Sequence, residues 1–72
     1  MILGSKPFMV RLTEHPFVSE KGSGAKATVG RFDIRKTYRV FSIYGTDQFT
    51  DFLLADEEGI FHWVSSEICR KA

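Results

Sequence analysis

Seventy-two residues with a formal net charge of +1 make one domain, and so short a chain buries only about 60% of the surface it exposes when unfolded. One cysteine, Cys69, excludes an internal disulfide, and two histidines beside it are a poor zinc set, so stability has to come from packing seven Phe, two Tyr and one Trp with the aliphatic residues. No apolar run approaches the ~18 residues of a membrane span, and Met1-Ile2-Leu3 leads into Gly4-Ser5-Lys6 rather than a signal-peptide core; neither secretion nor membrane insertion is expected, and a lone thiol suits a reducing cytoplasm.

Residues 1–5 read as a frayed start. A strand is expected over 8–12, where Phe8, Val10 and Leu12 fall on one side and Met9 and Arg11 on the other. Glu14-His15-Pro16 stops it, because Pro16 has no N–H to give to a ladder. Residues 19–26, rich in Gly, Ser and charge, read as a long exposed loop within the single domain 1–72. Thr28, Val29, Phe32 and Ile34 favour extended backbone but Gly30 interrupts them, so an irregular strand or wide loop is expected there. Residues 37–44 are β-branched and aromatic and read as one strand, turned by Gly45-Thr46-Asp47.

The strongest local signal follows. Strands over 50–54 and 60–64 flank Asp56-Glu57-Glu58-Gly59, with Gly59 placed to take the left-handed conformation that closes a type I turn plus bulge. Ser65-Ser66-Glu67-Ile68 is expected to form a 3₁₀ turn, with Ser65 or Ser66 accepting from its first N–H groups, and residues 69–71 a last short strand. No window sustains a 3.6-residue period, so no long helix is expected. The expected core is Val10, Tyr38, Val40, Phe52, Leu54, Ile60 and Val64.

Charge divides unevenly. Residues 1–39 hold eight cations against three acids, and residues 40–72 two cations against six acids. Such polarity either steers a partner or orients a dimer, or it interleaves when the halves fold together.

These features describe a small SH3-like barrel, and the residues carry the likeness further. Phe8-Met9-Val10-Arg11-Leu12 opens the chain, and Arg35-Lys36-Thr37-Tyr38-Arg39-Val40 follows the long loop. Phe52-Leu53-Leu54-Ala55-Asp56-Glu57-Glu58-Gly59 then leads into Trp63-Val64-Ser65-Ser66-Glu67-Ile68. The chain resembles the small SH3-like proteins of unknown function common in bacteriophages, prophages and bacteria, although that family usually has Gly where Arg35 stands. The resemblance implies an all-β, five-stranded antiparallel SH3-like barrel with a 3₁₀ turn before the last strand. It implies no catalytic residue.

Two surfaces are candidates. Phe61 and Trp63 are two apart on one strand and share a face. With Val64 inward, they point outward or pack beneath the first loop; outward, with Tyr44, they make an aromatic platform of the kind that anchors partners. Arg31, Arg35, Lys36 and Arg39 are interleaved with Phe32, Tyr38 and Phe41, a pattern that suits single-stranded nucleic acid. His15, His62 and Cys69 lack metal-ligand spacing, Ser65, Ser66 and His62 lack the cleft that acyl transfer needs, and Gly22-Ser23-Gly24 lacks the Lys-Ser/Thr of a phosphate loop. No metal, cofactor or catalytic site is expected. The leading expectation is a non-enzymatic, cytoplasmic module that binds a protein partner, of a phage- or prophage-type accessory or host-interaction kind, as a monomer or weak homodimer. The alternative is a nucleic-acid-binding accessory domain using residues 31–41.

Overall fold

The computed structural model describes residues 8–19 and 26–72. The fold is all-β. Among the described residues, eight short strands run β1 (Met9–Leu12), β2 (Phe17–Ser19), β3 (Lys26–Thr28), β4 (Thr37–Arg39), β5 (Ser42–Gly45), β6 (Thr50–Ala55), β7 (Phe61–Ser65) and β8 (Cys69–Lys71), with one 3₁₀ turn at Ser66–Ile68 before β8. They form three small antiparallel sheets, in the orders β4-β1-β8, β2-β3 and β5-β6-β7, and among the described residues these do not close into one barrel. The expected frayed start lies outside the described residues. So do positions 20–25 of the expected loop, whose ends, Ser19 and Lys26, are partners in the β2-β3 ladder. No helix among the described residues is long and apolar enough to cross a membrane.

Two strand assignments differ from expectation for identifiable reasons. Residues 37–44 are two strands, not one. Val40 N donates to the carbonyl of Phe8, and Phe41 N to that of Leu53, so the chain leaves the β1 sheet at Val40 and joins the β6 sheet one residue later. Pro16, expected only to end β1, also starts a hairpin: it is buried, and its carbonyl accepts from Val29 N at 3.0 Å, which aligns β2 against β3.

The core sits between the two three-stranded sheets. Val10, Leu12, Phe32, Tyr38, Val40, Leu54, Val64 and Cys69 are buried, with Leu54 fully enclosed. Phe8, Phe52 and Ile68 pack around them half-buried, Phe8 meeting Phe52 edge to face at 5.6 Å. Ile60, expected inside, is about half exposed. It falls in the turn before β7 begins, and His62 fills the first inward position of that strand, with its ring 5.9 Å from that of Phe32.

The distal hairpin closes as the Asp-Glu-Glu-Gly sequence indicates. Gly59 has φ +80° and its N–H donates to the Asp56 carbonyl at 2.9 Å, while Asp56 N donates to the Ile60 carbonyl at 2.8 Å. Ser65 Oγ accepts from Glu67 N at 3.2 Å and opens the 3₁₀ turn. The β1 and β8 ends are fastened by Thr13 N to the Ile68 carbonyl and Ala72 N to the Met9 carbonyl.

Candidate functional site

Directly opposed residues in an antiparallel ladder point to the same side. In β5-β6-β7 the register places Tyr44 opposite Asp51 and Asp51 opposite Ser65, Leu53 opposite Trp63, and Ala55 opposite Phe61. These residues make the outer face; Phe52 and Val64 point the other way, toward the core. The switch between sheets at Val40 decides which residues join the outer face. Alternation through an unbroken strand from Tyr38 would put Tyr44 on the buried side with Tyr38 and Val40. The break resets the parity, so Tyr44 projects outward.

The outer face is aromatic. Tyr44 and Trp63 meet edge to face at 6.2 Å, Phe41 and Phe61 do so at 5.1 Å with planes 87° apart, and Tyr44 and Phe49 lie 6.1 Å apart with their planes tilted by 45°. All five rings are about half exposed, from 48% for Phe49 to 54% for Tyr44 and Phe61. An aromatic side chain carries ~150–250 Å² of surface, so five half-exposed rings offer roughly 500 Å² to solvent. Single exposed apolar residues are ordinary, but a contiguous patch of this size is at the upper end of what a lone domain leaves in water. The sequence pattern identified Tyr44, Phe61 and Trp63, and the structure brings them onto one face. It did not identify Phe49 as a member, and it placed Phe41 with the cations.

Trp63 also borders a concavity of about 440 Å³ between the sheet and the β2-β3 hairpin, walled by Pro16, Phe17, Val29 and Ile68 with Asp51 at its edge. Trp63 is thus flanked by the hairpin without being covered by it.

The basic cluster has a different fate. Arg31 Nη1 donates to Glu58 Oε1 at 3.0 Å, and Lys36 Nζ to Glu57 Oε1. Arg35 grips Asp33 with Nε on Oδ1 and Nη2 on Oδ2, both at 3.1 Å. Two of these pairs join the basic half of the chain to the acidic half, so the charges interleave across the fold. Arg39 has no ion-pair partner among the described residues; its guanidinium lies 5.2 Å from the centre of the Phe41 ring. The aromatics expected to interleave with these cations do not form a stacking surface with them. Phe32 and Tyr38 are buried and pack edge to face at 5.1 Å, leaving only Phe41 exposed. Tyr38 Oη accepts from Asp33 N at 2.6 Å and donates to Glu57 Oε2 at 3.0 Å; burial, more than the neighbouring carboxylates, raises its pKa.

A residue that sequence reasoning treated as a simple turn former proves central to the local architecture. The Asp56 side chain is almost fully enclosed. Its Oδ1 accepts from Glu58 N and Ile60 N at 2.9 and 3.0 Å, and its Oδ2 from Arg31 N at 3.1 Å. His62 Nε2 stands 3.0 Å from Oδ2 and must carry the proton, because an ionised carboxylate only accepts. Burial pushes the Asp56 pKa up, but the N–H groups of Ile60 and Arg31, the His62 ring and the N–H of Glu58 together outweigh it and hold the group at about 2. Asp56 therefore ties the distal hairpin to the loop at Gly30-Arg31. Its lone pairs are spent inside the fold, which leaves it a structural acid. Among the described residues no group of three His, Cys, Asp or Glu could hold a metal ion.

Comparison with protein-family models, with curated proteins and with solved structures finds no match to this chain.

Proposed function

We propose that this protein is a non-enzymatic interaction module that captures a protein partner on the outer face of β5-β6-β7, with Tyr44, Phe61 and Trp63 as the anchoring side chains. One observation carries the reading: five half-exposed aromatic rings, in mutual contact as two neighbouring groups, share one sheet face. Interfaces draw most of their energy from a few such rings, and Trp and Tyr lead among them. The rings are also rigidly based, because each sits on or beside a strand whose other face packs in the core, so little conformational entropy remains to be lost on binding.

We read the architecture as an opened SH3-like barrel. Two three-stranded sheets are joined by one chain that passes between them at Val40, a tight hairpin precedes β7, and a 3₁₀ turn precedes the last strand. That reading supports the resemblance to the small SH3-like proteins of bacteriophages, prophages and bacteria, and with it an accessory or host-interaction role in the cytoplasm. Fold likeness alone does not select a partner. The nucleic-acid reading draws less support, since Arg31, Arg35 and Lys36 already face carboxylates and Phe32 and Tyr38 are inside.

Affinity capture from bacterial lysate, with and without nuclease, tests the choice. Capture should survive nuclease, vanish in the Phe61→Ala/Trp63→Ala variant, and persist in Arg35→Glu/Lys36→Glu. Loss of capture on nuclease treatment, or loss in the charge variant alone, would overturn the assignment of the surface.

A further inference from the structure

The outer face has ends of opposite charge. β5 and β7 run in the same direction, so Phe41 and Phe61 lie at one end of the face, and Trp63 and then Tyr44, level with Asp51, lie toward the other. Arg39 lies beyond Phe41, against its ring. From Phe61 to Ser65, which is opposite Asp51, the strand advances four residues, or ~14 Å at ~3.4 Å each. Among the described residues, neither Arg39 nor Asp51 has an ion-pair partner, whereas Arg31, Arg35 and Lys36 all do. Among the described residues, the aromatic face thus carries a cation without an ion-pair partner toward one end and a carboxylate without one toward the other.

Such a face is complementary to itself. A twofold axis lying in the face and perpendicular to the strands reverses the ends, so Arg39 of one copy comes to Asp51 of the second, twice per pair. The same operation lays the Phe41–Phe61 pair of one copy against the Tyr44–Trp63 pair of the other, with Leu53 near the axis. A closed twofold contact of this kind uses one patch on both copies and cannot propagate into a fibre. The stacking is that of two sheets face to face, which keeps their strands within about 30° of a common line.

We propose that the partner this face accommodates is a second copy of the chain, in a symmetric dimer held by the aromatic rings and set in register by two Arg39–Asp51 pairs. The inference rests on the reading of the aromatic face as a binding surface and names an occupant for it. The exposed rings supply roughly 500 Å² per copy, and a stable interface takes about 800 Å² per partner. The dimer is therefore a weak one that forms as concentration rises, and its register depends on the charged ends.

Sedimentation velocity over two decades of concentration, up to the millimolar range and at low salt, provides the test. The wild-type weight-average mass should climb from one chain toward two. Arg39→Asp and Asp51→Arg each set like charges together twice per dimer, so each single variant should remain monomeric at the concentration where the wild type is half dimeric. The double variant Arg39→Asp/Asp51→Arg restores opposite charges and should regain at least half of the wild-type association. Circular dichroism and melting temperature establish that each variant is folded; should a reversal unfold the chain, Arg39→Gln and Asp51→Asn replace the reversals and should each weaken association several-fold. A wild type that stays monomeric throughout overturns the dimer, as does a folded double variant no better than the singles. A monomeric wild type that still captures a heterologous protein through Phe61 and Trp63 would end this inference alone. A dimer rescued by the charge swap, in a protein that captures nothing else, would end the wider module reading and leave the dimer standing.

Discussion

The Asp56 carboxylate and the His62 imidazole meet at 3.0 Å directly beneath Gly30, which leaves no room for a side chain at that position. Gly30 has φ +65°, and a Cβ built there would lie 2.6 Å from His62 Nε2 and 2.9 Å from Asp56 Oδ2. The contact joins the loop before β4 to the distal hairpin, at its turn and at strand β7. It explains why the backbone at Gly30-Arg31 can hydrogen-bond both to the Asp56 side chain and, through the Arg31 carbonyl, to Glu57 N.

Gly30→Ala should therefore destabilise the fold through two separable effects. Left-handed backbone costs a residue with a Cβ about 1–2 kcal/mol, and the collision with the His62 ring adds to that. Placing His62→Ala in the Gly30→Ala background should relieve the collision but keep the backbone cost. Denaturant melts of the two single variants and the double check this: strictly additive losses would show that Gly30 and His62 are not in contact.

Acid should loosen the same joint. The folded pKa of Asp56 is about 2, below its ordinary value of 3.8, so the folded state favours the ionised form. Its contribution is complete above 3.8 and is lost as the pH falls through about 2. Asp33 and Glu57 are held low as well, by Arg35 and Lys36 respectively, and act in the same direction, though their exposure to solvent keeps their share small. The melting temperature should thus decline over that acid range, and Asp56→Asn should show a lower plateau near neutrality with a shallower acid decline. An Asp56→Asn variant with the wild-type acid profile would rule out this carboxylate as the source.

Core truncations should follow burial rather than residue size. Leu54 is fully enclosed on β6, the central strand of its sheet, and Leu54→Ala should cost about 2–5 kcal/mol, enough to unfold much of so small a domain. Phe52 is only half-buried, so Phe52→Ala should cost less than the ~3–5 kcal/mol of a fully buried Phe. A Phe52→Ala loss exceeding that of Leu54→Ala in chemical denaturation would contradict the placement of the core.

Elements set by local chemistry were legible in the sequence, and those set by distant contacts were not. The hairpin at 56–60 and the 3₁₀ turn at Ser66–Ile68 follow from residues within four positions of one another. The outward pair Phe61 and Trp63 follows from simple alternation once Val64 is inside. By contrast, the break at Val40 is imposed by the Phe8 carbonyl, 32 positions from Val40, and the Leu53 carbonyl, 12 positions from Phe41. No local signal marks it, and β-branched residues run across it. Phe32 was similarly opaque. Flanked by Arg31 and Asp33, it looks like a surface residue, yet Tyr38 and His62 fold over it. The 31–41 region reads as an exposed basic-aromatic cluster only until its cations meet Glu57 and Glu58 and its aromatic rings turn inward.

The outer aromatic rings should contribute little to the fold that displays them. Trp63 is the only tryptophan in the chain and is 49% exposed, so its fluorescence reports on this face alone. Acrylamide should quench it readily in dilute solution and less well as copies associate. Trp63→Ala removes a ring that the core does not enclose, and should cost only about 1–2 kcal/mol because about half of its surface was never withdrawn from water. Phe32→Ala, by contrast, empties a buried site between Tyr38 and His62 and should cost about 3–5 kcal/mol. Measuring both by urea denaturation separates display from support. If Trp63→Ala were as damaging as Phe32→Ala, the ring would be serving the fold itself, and the case for a surface held ready for a partner would lose its largest anchor.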